Sequence, residues 1–155
     1  ERYHGERTLY LKDGRRVLME NYSHGVKNGP FEKIVVTKGS YTRQNGRYEN
    51  GKLSGRLDTY RGNLAAGDEY LQQFETYLDG KKNGQSASYL PDGRPKWQGS
   101  YHNGKQDGWS QAWYTLEVKK GVYYLLTEIL HEKGEVVQRR RYNSKGEVLN
   151  DEKLR

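Results

Sequence analysis

The chain has 155 residues, a net charge of +7 at pH 7 and no cysteine, which excludes disulfides and thiolate metal sites. Leu, Ile, Val and Phe supply only 28 of the 155 residues, close to the composition of disordered chains. However, 14 Tyr, 3 Trp and only 3 Pro indicate a folded chain with a thin, aromatic core. The longest apolar stretch, around Val122 to Leu126, is far too short for a membrane-spanning helix.

Asn-Gly and Asp-Gly pairs recur along most of the chain. They favour two-residue hairpin turns, because these turns need a positive φ at their central residues. Nine such pairs predict a succession of β-hairpins. The pairs occupy positions 13–14, 28–29, 45–46, 50–51, 79–80, 83–84, 92–93, 103–104 and 107–108.

Two alternating patterns organise most of these pairs. The first is Tyr-x2-Gly-x3-Gly, and it occurs at Tyr22/Gly25/Gly29, Tyr48/Gly51/Gly55, Tyr77/Gly80/Gly84 and Tyr101/Gly104/Gly108. The second is Tyr-x3-Gly-x7-Tyr, which we interpret as the shorter turn, and it fits Tyr10/Gly14/Tyr22 and Tyr89/Gly93/Tyr101. Its last half recurs as Gly134/Tyr142.

Both patterns advance the chain by twelve residues, most regularly over Tyr77, Tyr89, Tyr101 and Trp113. Twelve residues hold a turn and one strand of about six to eight residues. We therefore predict an all-β fold, an elongated antiparallel sheet of consecutive β-hairpins with one kind of turn on each edge. Equal spacing would let the aromatic rings of neighbouring hairpins stack.

The segment 61–76 lengthens the repeat in the first half of the chain. Leu64 to Phe74 is the best candidate for a helix, but Gly67 interrupts its apolar stripe. A longer hairpin loop explains this segment equally well.

The segment 114–141 lengthens the repeat again. The stretches 110–118, 121–131 and 135–142 are predicted as three strands. Their apolar residues, Val122, Tyr123, Leu125 and Ile129, could form an end-plate. We predict a single domain over 1–155, with 114–150 as its C-terminal capping part.

Three of the repeats resemble a known family. Tyr48-Glu-Asn-Gly-Lys-Leu-Ser-Gly, Tyr77-Leu-Asp-Gly-Lys-Lys-Asn-Gly and Tyr101-His-Asn-Gly-Lys-Gln-Asp-Gly are similar to MORN repeats (membrane occupation and recognition nexus), in particular the bacterial MORN-variant form. Tyr22-Ser-His-Gly-Val-Lys-Asn-Gly matches more loosely. The resemblance extends from about residue 5 to residue 149.

The resemblance implies an array of β-hairpins without catalysis by the repeats. It implies a protein-interaction scaffold or a membrane-associated module, and in bacteria an antitoxin or immunity component. It supplies no catalytic residues. The chain begins at Glu1 with no Met and no signal peptide, so an upstream segment could have been removed. The compartment is left open; we expect a soluble protein with no transmembrane segment, and a processed or truncated exported bacterial protein is one interpretation.

Nothing in the sequence points to an enzyme, a cofactor or a small-molecule substrate. His4, His24, His102 and His131 do not form a metal-binding pair at a known spacing. His131-Glu132 begins like a zincin motif, but position 135 is Glu. We therefore expect no catalytic residues and no metal ligands.

Tryptophan and arginine supply the candidate partner-binding residues. Trp97 and Trp109 lie off the repeat spacing and Trp113 on it, and each is read either as local packing or as a hot spot for a partner. Arg139 and Arg141 would share one face of a strand, as a solvated edge or as contacts to an anionic partner.

The regularly spaced tyrosines are read as packing residues, with base stacking as the alternative. The partner is expected to be another protein, or alternatively anionic lipid or nucleic acid attracted by the positive charge. The sequence does not specify the oligomeric state.

Overall fold

The computed structural model describes residues 2–113 and 125–155. Over these residues the fold is all-β, with fourteen strands in antiparallel pairs, and the predicted sheet of consecutive hairpins is confirmed. The chain divides into two compact units, Glu1–Lys81 and Lys82–Arg155, called unit 1 and unit 2 below. The single domain over 1–155, with its capping part 114–150, stays a prediction.

Unit 1 contains seven strands, and each is antiparallel to the strands with which it pairs. They are β1 (Gly5–Tyr10), β2 (Arg16–Ser23), β3 (Val26–Thr37), β4 (Ser40–Glu49), β5 (Lys52–Leu53), β6 (Gly55–Asn63) and β7 (Glu69–Leu78). The sheet order is β1-β2-β3-β4-β6-β7, and β5 pairs with the end of β4. The segment 61–76 forms the end of β6, a loop and most of β7, so it is a longer hairpin and not a helix.

Unit 2 repeats this arrangement with β8 (Lys81–Tyr89), β9 (Pro95–His102), β10 (Lys105–Gln106), β11 (Gly108–Trp113), β12 (Leu125–Glu132), β13 (Glu135–Tyr142) and β14 (Val148–Lys153). The order is β8-β9-β11-β12-β13-β14, with β10 paired to β9. β11, β12 and β13 match the three strands predicted after residue 110, except that 114–124 lies outside the described residues. The sequence analysis did not predict β14.

Of the four residues predicted to form an apolar end-plate, Ile129 is the one whose surroundings the structure describes. Val122 and Tyr123 lie outside the described residues, and Leu125 is the first residue of β12. Ile129 is half-buried in β12, where it pairs with Ser110 on one side and Arg139 on the other.

Two kinds of turn alternate along the chain, as predicted, but their lengths are the reverse of the prediction. The Tyr-x2-Gly pattern marks the two-residue turns, where both residues have positive φ, as at Asn50–Gly51 and Asn103–Gly104. The Tyr-x3-Gly pattern marks the longer loops 11–15 and 90–94. The Leu11 N–H donates to the carbonyl of Arg15, and the Leu90 N–H to that of Arg94, each at 2.8 Å.

Some Asn-Gly and Asp-Gly pairs are not turns, which corrects the prediction from the sequence. Asn28-Gly29, Asn45-Gly46 and Asn83-Gly84 lie inside β3, β4 and β8, and Gly108 begins β11. An Asn-Gly pair also suits a strand where a bulge or a close packing contact requires glycine.

In the Tyr-x2-Gly-x3-Gly pattern, the second glycine lies opposite the tyrosine of the next repeat. The register pairs Gly29 with Tyr48, Gly55 with Tyr77 and Gly84 with Tyr101, and Gly5 stands opposite Tyr22 in the same way. All four glycines have positive φ, between 74° and 119°, a conformation that favours glycine. A Cβ added at Gly5 or Gly55 would have no atom within 4 Å, so the opposing tyrosine is not what requires glycine there. The positions Gly25, Gly51, Gly80 and Gly104 are the turn glycines of these repeats, and Gly14 and Gly93 those of the longer loops.

His131 occupies the tyrosine position of one further repeat. It pairs with Gly108 and precedes the positive-φ turn Lys133–Gly134 by the usual spacing. The sequence analysis missed this repeat, because the ring is an imidazole and no second glycine follows at position 138, where Gln138 is buried.

Buried apolar side chains are few, as the composition predicted. Among the described residues the buried hydrophobic ones are Phe31, Leu57, Ala87 and Val137. The Phe31 ring lies 4.8 Å from that of Tyr48 and covers Gly46, where an added Cβ would lie 2.8 Å from Phe31 Cε1. The core of unit 1 is thus centred on an aromatic pair.

Candidate binding faces

Trp97 and Arg141 lie on the same face of the unit 2 sheet. The register places Trp97 opposite Ala112, Ala112 opposite Thr127, and Thr127 opposite Arg141. Residues directly opposite each other project to one face, so these four form a row across β9, β11, β12 and β13. Strands lie about 4.8 Å apart, so the backbones of Trp97 and Arg141 are about 14 Å apart.

A second row lies beside the first on this face. Ser110 pairs with Ile129, Ile129 with Arg139, and Arg139 with Glu152. Its members lie two residues from those of the first row, which keeps them on the same side. Ser110 on this side is buried, so we call the surface of Trp97, Ala112, Thr127, Arg139 and Arg141 the tryptophan–arginine face. Small side chains separate its tryptophan from its arginines.

Trp97 also packs within unit 2. A Cβ added to Gly99 would lie 2.7 Å from Trp97 Cζ2, so the indole covers this glycine. The indole is 6.3 Å from the ring of Tyr101, which the ammonium of Lys82 approaches at 5.2 Å. Trp97 therefore covers Gly99 much as Phe31 covers Gly46, and is half-buried.

The three consecutive arginines have different surroundings. Arg140 forms ion pairs with Asp151 at 3.0 Å and Glu128 at 3.8 Å. Arg139 and Arg141 form no ion pair with any residue in the described part of the chain. The tryptophan–arginine face therefore presents two cations whose charge is not matched by a direct ion pair there.

Trp109 lies on the opposite face from Trp97. Its side chain is 39% exposed, and the Arg140 guanidinium lies 5.0 Å from its ring. Trp113 ends β11 beside a register shift and is half-exposed. The structure thus brings together Trp97, Arg139 and Arg141, and it separates Trp109 from them.

A row of polar side chains, which we call the polar ladder, crosses the face of Trp109. Gln98 Nε2 donates to Gln111 Oε1 at 2.5 Å, and Gln111 Nε2 donates to Glu128 Oε1 at 2.9 Å. The Tyr142 hydroxyl donates to Glu128 Oε2 at 2.7 Å. Sequence analysis missed these residues, because only the register shows that they are neighbours.

The polar ladder continues to the last strand. Asp151 accepts hydrogen bonds from Gln138 Nε2 at 2.6 Å and from Arg140 Nε at 3.0 Å. These bonds, that from Gln138 first, hold the pKa of Asp151 below its usual value. The charges on this face are largely matched within the protein, in contrast to those of the tryptophan–arginine face.

Unit 1 has an ion pair between a buried carboxylate and a partly exposed lysine on the face of its repeat tyrosines. Glu20 accepts hydrogen bonds from Lys27 Nζ at 2.5 Å and from the Tyr22 hydroxyl at 3.0 Å. Burial raises the pKa of Glu20, but these bonds outweigh burial and the net shift is downward. Lys27 also lies 5.1 Å from the ring of Tyr48, so the pair is built into the packing of the repeat.

The other face of unit 1 contains an apolar recess of about 220 Å³. Five aliphatic side chains line it: Leu11, Val17, Ile34, Val36 and Leu64. Leu11 and Leu64 belong to two loops on one edge of the sheet, and Leu64 comes from the segment 61–76 that the repeat does not dictate. We call this concavity the apolar recess.

Charged residues line the apolar recess on its sheet side. Arg16 pairs with Glu32 at 2.9 Å, Arg43 lies 3.7 Å from Glu32, and Arg43 forms an ion pair with Glu69. The Tyr41 hydroxyl donates to Glu69 at 2.8 Å. Hydrogen bonds from Arg43 and Tyr41 lower the pKa of Glu69 against the effect of burial.

The described residues contain no cluster of three or more His, Asp or Glu able to hold a metal ion. No helix in the part of the chain that the structure describes is long and apolar enough to cross a membrane. Comparison with protein-family models gives no match, and comparison with curated proteins gives none either.

Proposed function

We propose that this protein is a non-enzymatic protein-interaction module, and that the tryptophan–arginine face of unit 2 contacts its partner. The observation behind this proposal is the row Trp97, Ala112, Thr127 and Arg141, in which small side chains separate an indole from an arginine. Tryptophan and arginine, with tyrosine, are the residues most enriched among interface hot spots.

The expected partner surface is apolar opposite Trp97 and acidic opposite the arginines. Arg139 and Arg141 would form their ion pairs with the partner, since they form none with described residues. An open sheet face offers contact area instead of an enclosed reaction site, which supports binding over catalysis.

Affinity capture from native lysate tests this proposal. Immobilised wild-type protein is compared with Trp97→Ala and Arg141→Glu, and with Trp109→Ala and Arg47→Glu as matched controls away from the face. The expected result is a protein retained by the wild type and both controls and lost with both face variants. Thermal melts of each variant establish that it is folded, since Trp97 also packs on Gly99.

The affinity of the purified partner gives the quantitative test. Arg141→Glu is expected to weaken binding at least about tenfold, which corresponds to about 1.4 kcal/mol. If the face variants and the controls retain the same proteins with equal affinity, the tryptophan–arginine face is not the binding surface.

A second candidate function is binding of anionic lipid or nucleic acid, and the unmatched Arg139 and Arg141 favour it. Such binding would weaken steeply with salt, because neutralised phosphates release counterions. Binding to phosphatidylserine vesicles and to single- and double-stranded DNA is measured at low salt. Undetectable binding to all three would dismiss this candidate.

The antitoxin or immunity role rests on the resemblance to MORN-variant repeats. Its test is co-expression with the product of an adjacent toxin gene, if the native locus contains one. Rescue of growth by the wild type, and not by Arg139→Glu with Arg141→Glu, is the result that this role predicts. Unchanged toxicity with the wild type would speak against it.

A further inference from the structure

The apolar recess of unit 1 gathers large hydrophobic side chains that are exposed. Leu11 is 39% exposed, Val36 38% and Leu64 42%. Single exposed hydrophobic residues are ordinary, but here three of them surround one concavity. This recess is separate from the tryptophan–arginine face and does not depend on the proposal made for it.

The loop that presents Leu64 is fixed by several hydrogen bonds. The Leu64 N–H donates to the carbonyl of Gly39 at 3.1 Å. Asn63 Oδ1 accepts hydrogen bonds from the N–H groups of Ala65 at 2.8 Å and Ala66 at 3.3 Å. A ligand entering the recess would therefore pay little entropy for ordering this wall.

The size of the recess suits one large side chain. Its volume is about 220 Å³, and a cavity of about 150 Å³ already accommodates a benzene ring. A side chain such as Leu, Ile, Met or Phe would fill it and cover Leu11 and Leu64.

The charges around the recess favour an acidic ligand. Arg15 and Arg16 line its rim, but they already pair with Asp13 at 2.7 Å and with Glu32 at 2.9 Å. Lys12 and Lys38, on the two turns beside it, are exposed and form no ion pair with a described residue. The carboxylate of Glu69 at its inner wall is already held by Arg43 and Tyr41.

We propose that the apolar recess binds an acidic segment of another protein, which inserts one aliphatic or aromatic side chain between Leu11 and Leu64. Asp and Glu residues on either side of that anchor face Lys12 and Lys38. A membrane surface fits less well, because the apolar groups line a concavity instead of protruding.

A library of random twelve-residue peptides displayed on phage, selected on the full-length protein, tests this proposal. Enriched peptides are expected to share one Leu, Ile, Met or Phe flanked by Asp or Glu. The consensus peptide is then synthesised, and its affinity is measured for the wild type and for Leu64→Ser. Leu78→Ser, at another exposed leucine of unit 1, is the matched control.

Leu64→Ser should weaken peptide binding at least about tenfold, and Lys12→Glu with Lys38→Glu should weaken it further in the same direction. Leu78→Ser should leave the affinity within about twofold. Two-dimensional NMR spectra establish that each variant keeps the fold, so that a loss of affinity reports on the recess.

The proposal would be overturned if the selection enriched no peptide, or if the consensus peptide bound Leu64→Ser as tightly as the wild type. Two other results identify a different occupant: vesicle binding that Leu64→Ser abolishes, or a dimer in sedimentation that it dissociates. A consensus peptide sensitive to Arg141→Glu and not to Leu64→Ser would support the tryptophan–arginine face instead.

Discussion

Each repeat tyrosine pairs with a glycine on the adjacent strand, as Tyr48 does with Gly29 and Tyr101 with Gly84. These two glycines have φ angles of 119° and 101°, so the backbone conformation explains why glycine occupies these strand positions. His131 takes the same position opposite Gly108. An imidazole titrates near neutral pH, whereas a tyrosine hydroxyl titrates near about pH 10. The repeat of His131 should therefore respond to pH in a range where a tyrosine in its place would not.

His131 is 6% exposed, and its burial lowers the pKa below 6.5. Below about pH 6.5 the unfolded state therefore binds more protons at this position than the folded state. The unfolding free energy should fall as the pH drops from 7 towards 5, by up to about 1.4 kcal/mol per pH unit from this group. Denaturant unfolding at each pH measures it.

His131→Tyr restores the residue found in the other repeats and should flatten this part of the pH dependence. His102→Asn, at an exposed histidine, should leave the slope as it is in the wild type. The assignment to His131 is wrong if the slope between pH 5 and 7 survives in His131→Tyr.

The hairpins depend on two-residue turns in which both residues have positive φ. At Asn103–Gly104 the two φ angles are 49° and 84°. Nothing lies within 4 Å of a Cβ added at Gly104, so a substitution there changes only the backbone energy.

Gly104→Ala should therefore lower the unfolding free energy by about 1 kcal/mol, because alanine is strained at positive φ. Asn103→Gly should be neutral or slightly stabilising, since glycine adopts this conformation without strain. Equilibrium denaturation compares the two. Equal stability of Gly104→Ala and wild type would mean that this turn does not need glycine.

Neighbouring strands of unit 2 are also joined through their side chains by the polar ladder. Glu128 is its centre, as the acceptor for Gln111 and Tyr142. Glu128→Ala should cost about 1 to 3 kcal/mol, because it leaves half-buried donors without an acceptor.

The control is Glu152→Ala, an exposed position on β14, which should change the unfolding free energy by less than about 0.5 kcal/mol. Both variants are measured by chemical denaturation at neutral pH. Equal costs for the two positions would show that the polar ladder contributes nothing particular to stability.

For the molecule as a whole, the small apolar core sets the thermodynamics of unfolding. Four hydrophobic residues are buried in the described part of the chain, and no large side chain there is completely enclosed. Hydrophobic burial is the main source of the heat-capacity change on unfolding. Interstrand hydrogen bonds therefore take a larger share of the stabilisation than in an ordinary domain.

The heat-capacity change should therefore lie below the usual value, which is about 12 to 15 cal/mol/K per residue, or about 2 kcal/mol/K for a chain of this length. Calorimetry over a series of pH values gives this quantity from the slope of enthalpy against melting temperature. A value at or above the usual one would contradict the description of a thin core.

The sequence by itself determined the all-β class, the succession of hairpins and the positions of the main turns. These are local properties, because a positive φ and the alternation of a strand depend on a few adjacent residues. Even so, Asn45-Gly46 fits the turn signal and lies inside β4, since only the ring of Phe31 explains its glycine.

Only the tertiary structure decided which side chains share a face. Trp97 and Trp109 are twelve residues apart and lie on opposite faces, and Arg43 meets Glu69 across 26 residues of sequence. Register and bulges determine these neighbours, and one shifted residue reverses the face of everything after it. The tryptophan–arginine face, the polar ladder and the apolar recess are therefore products of strand pairing, which the spacing of residues along the chain does not specify.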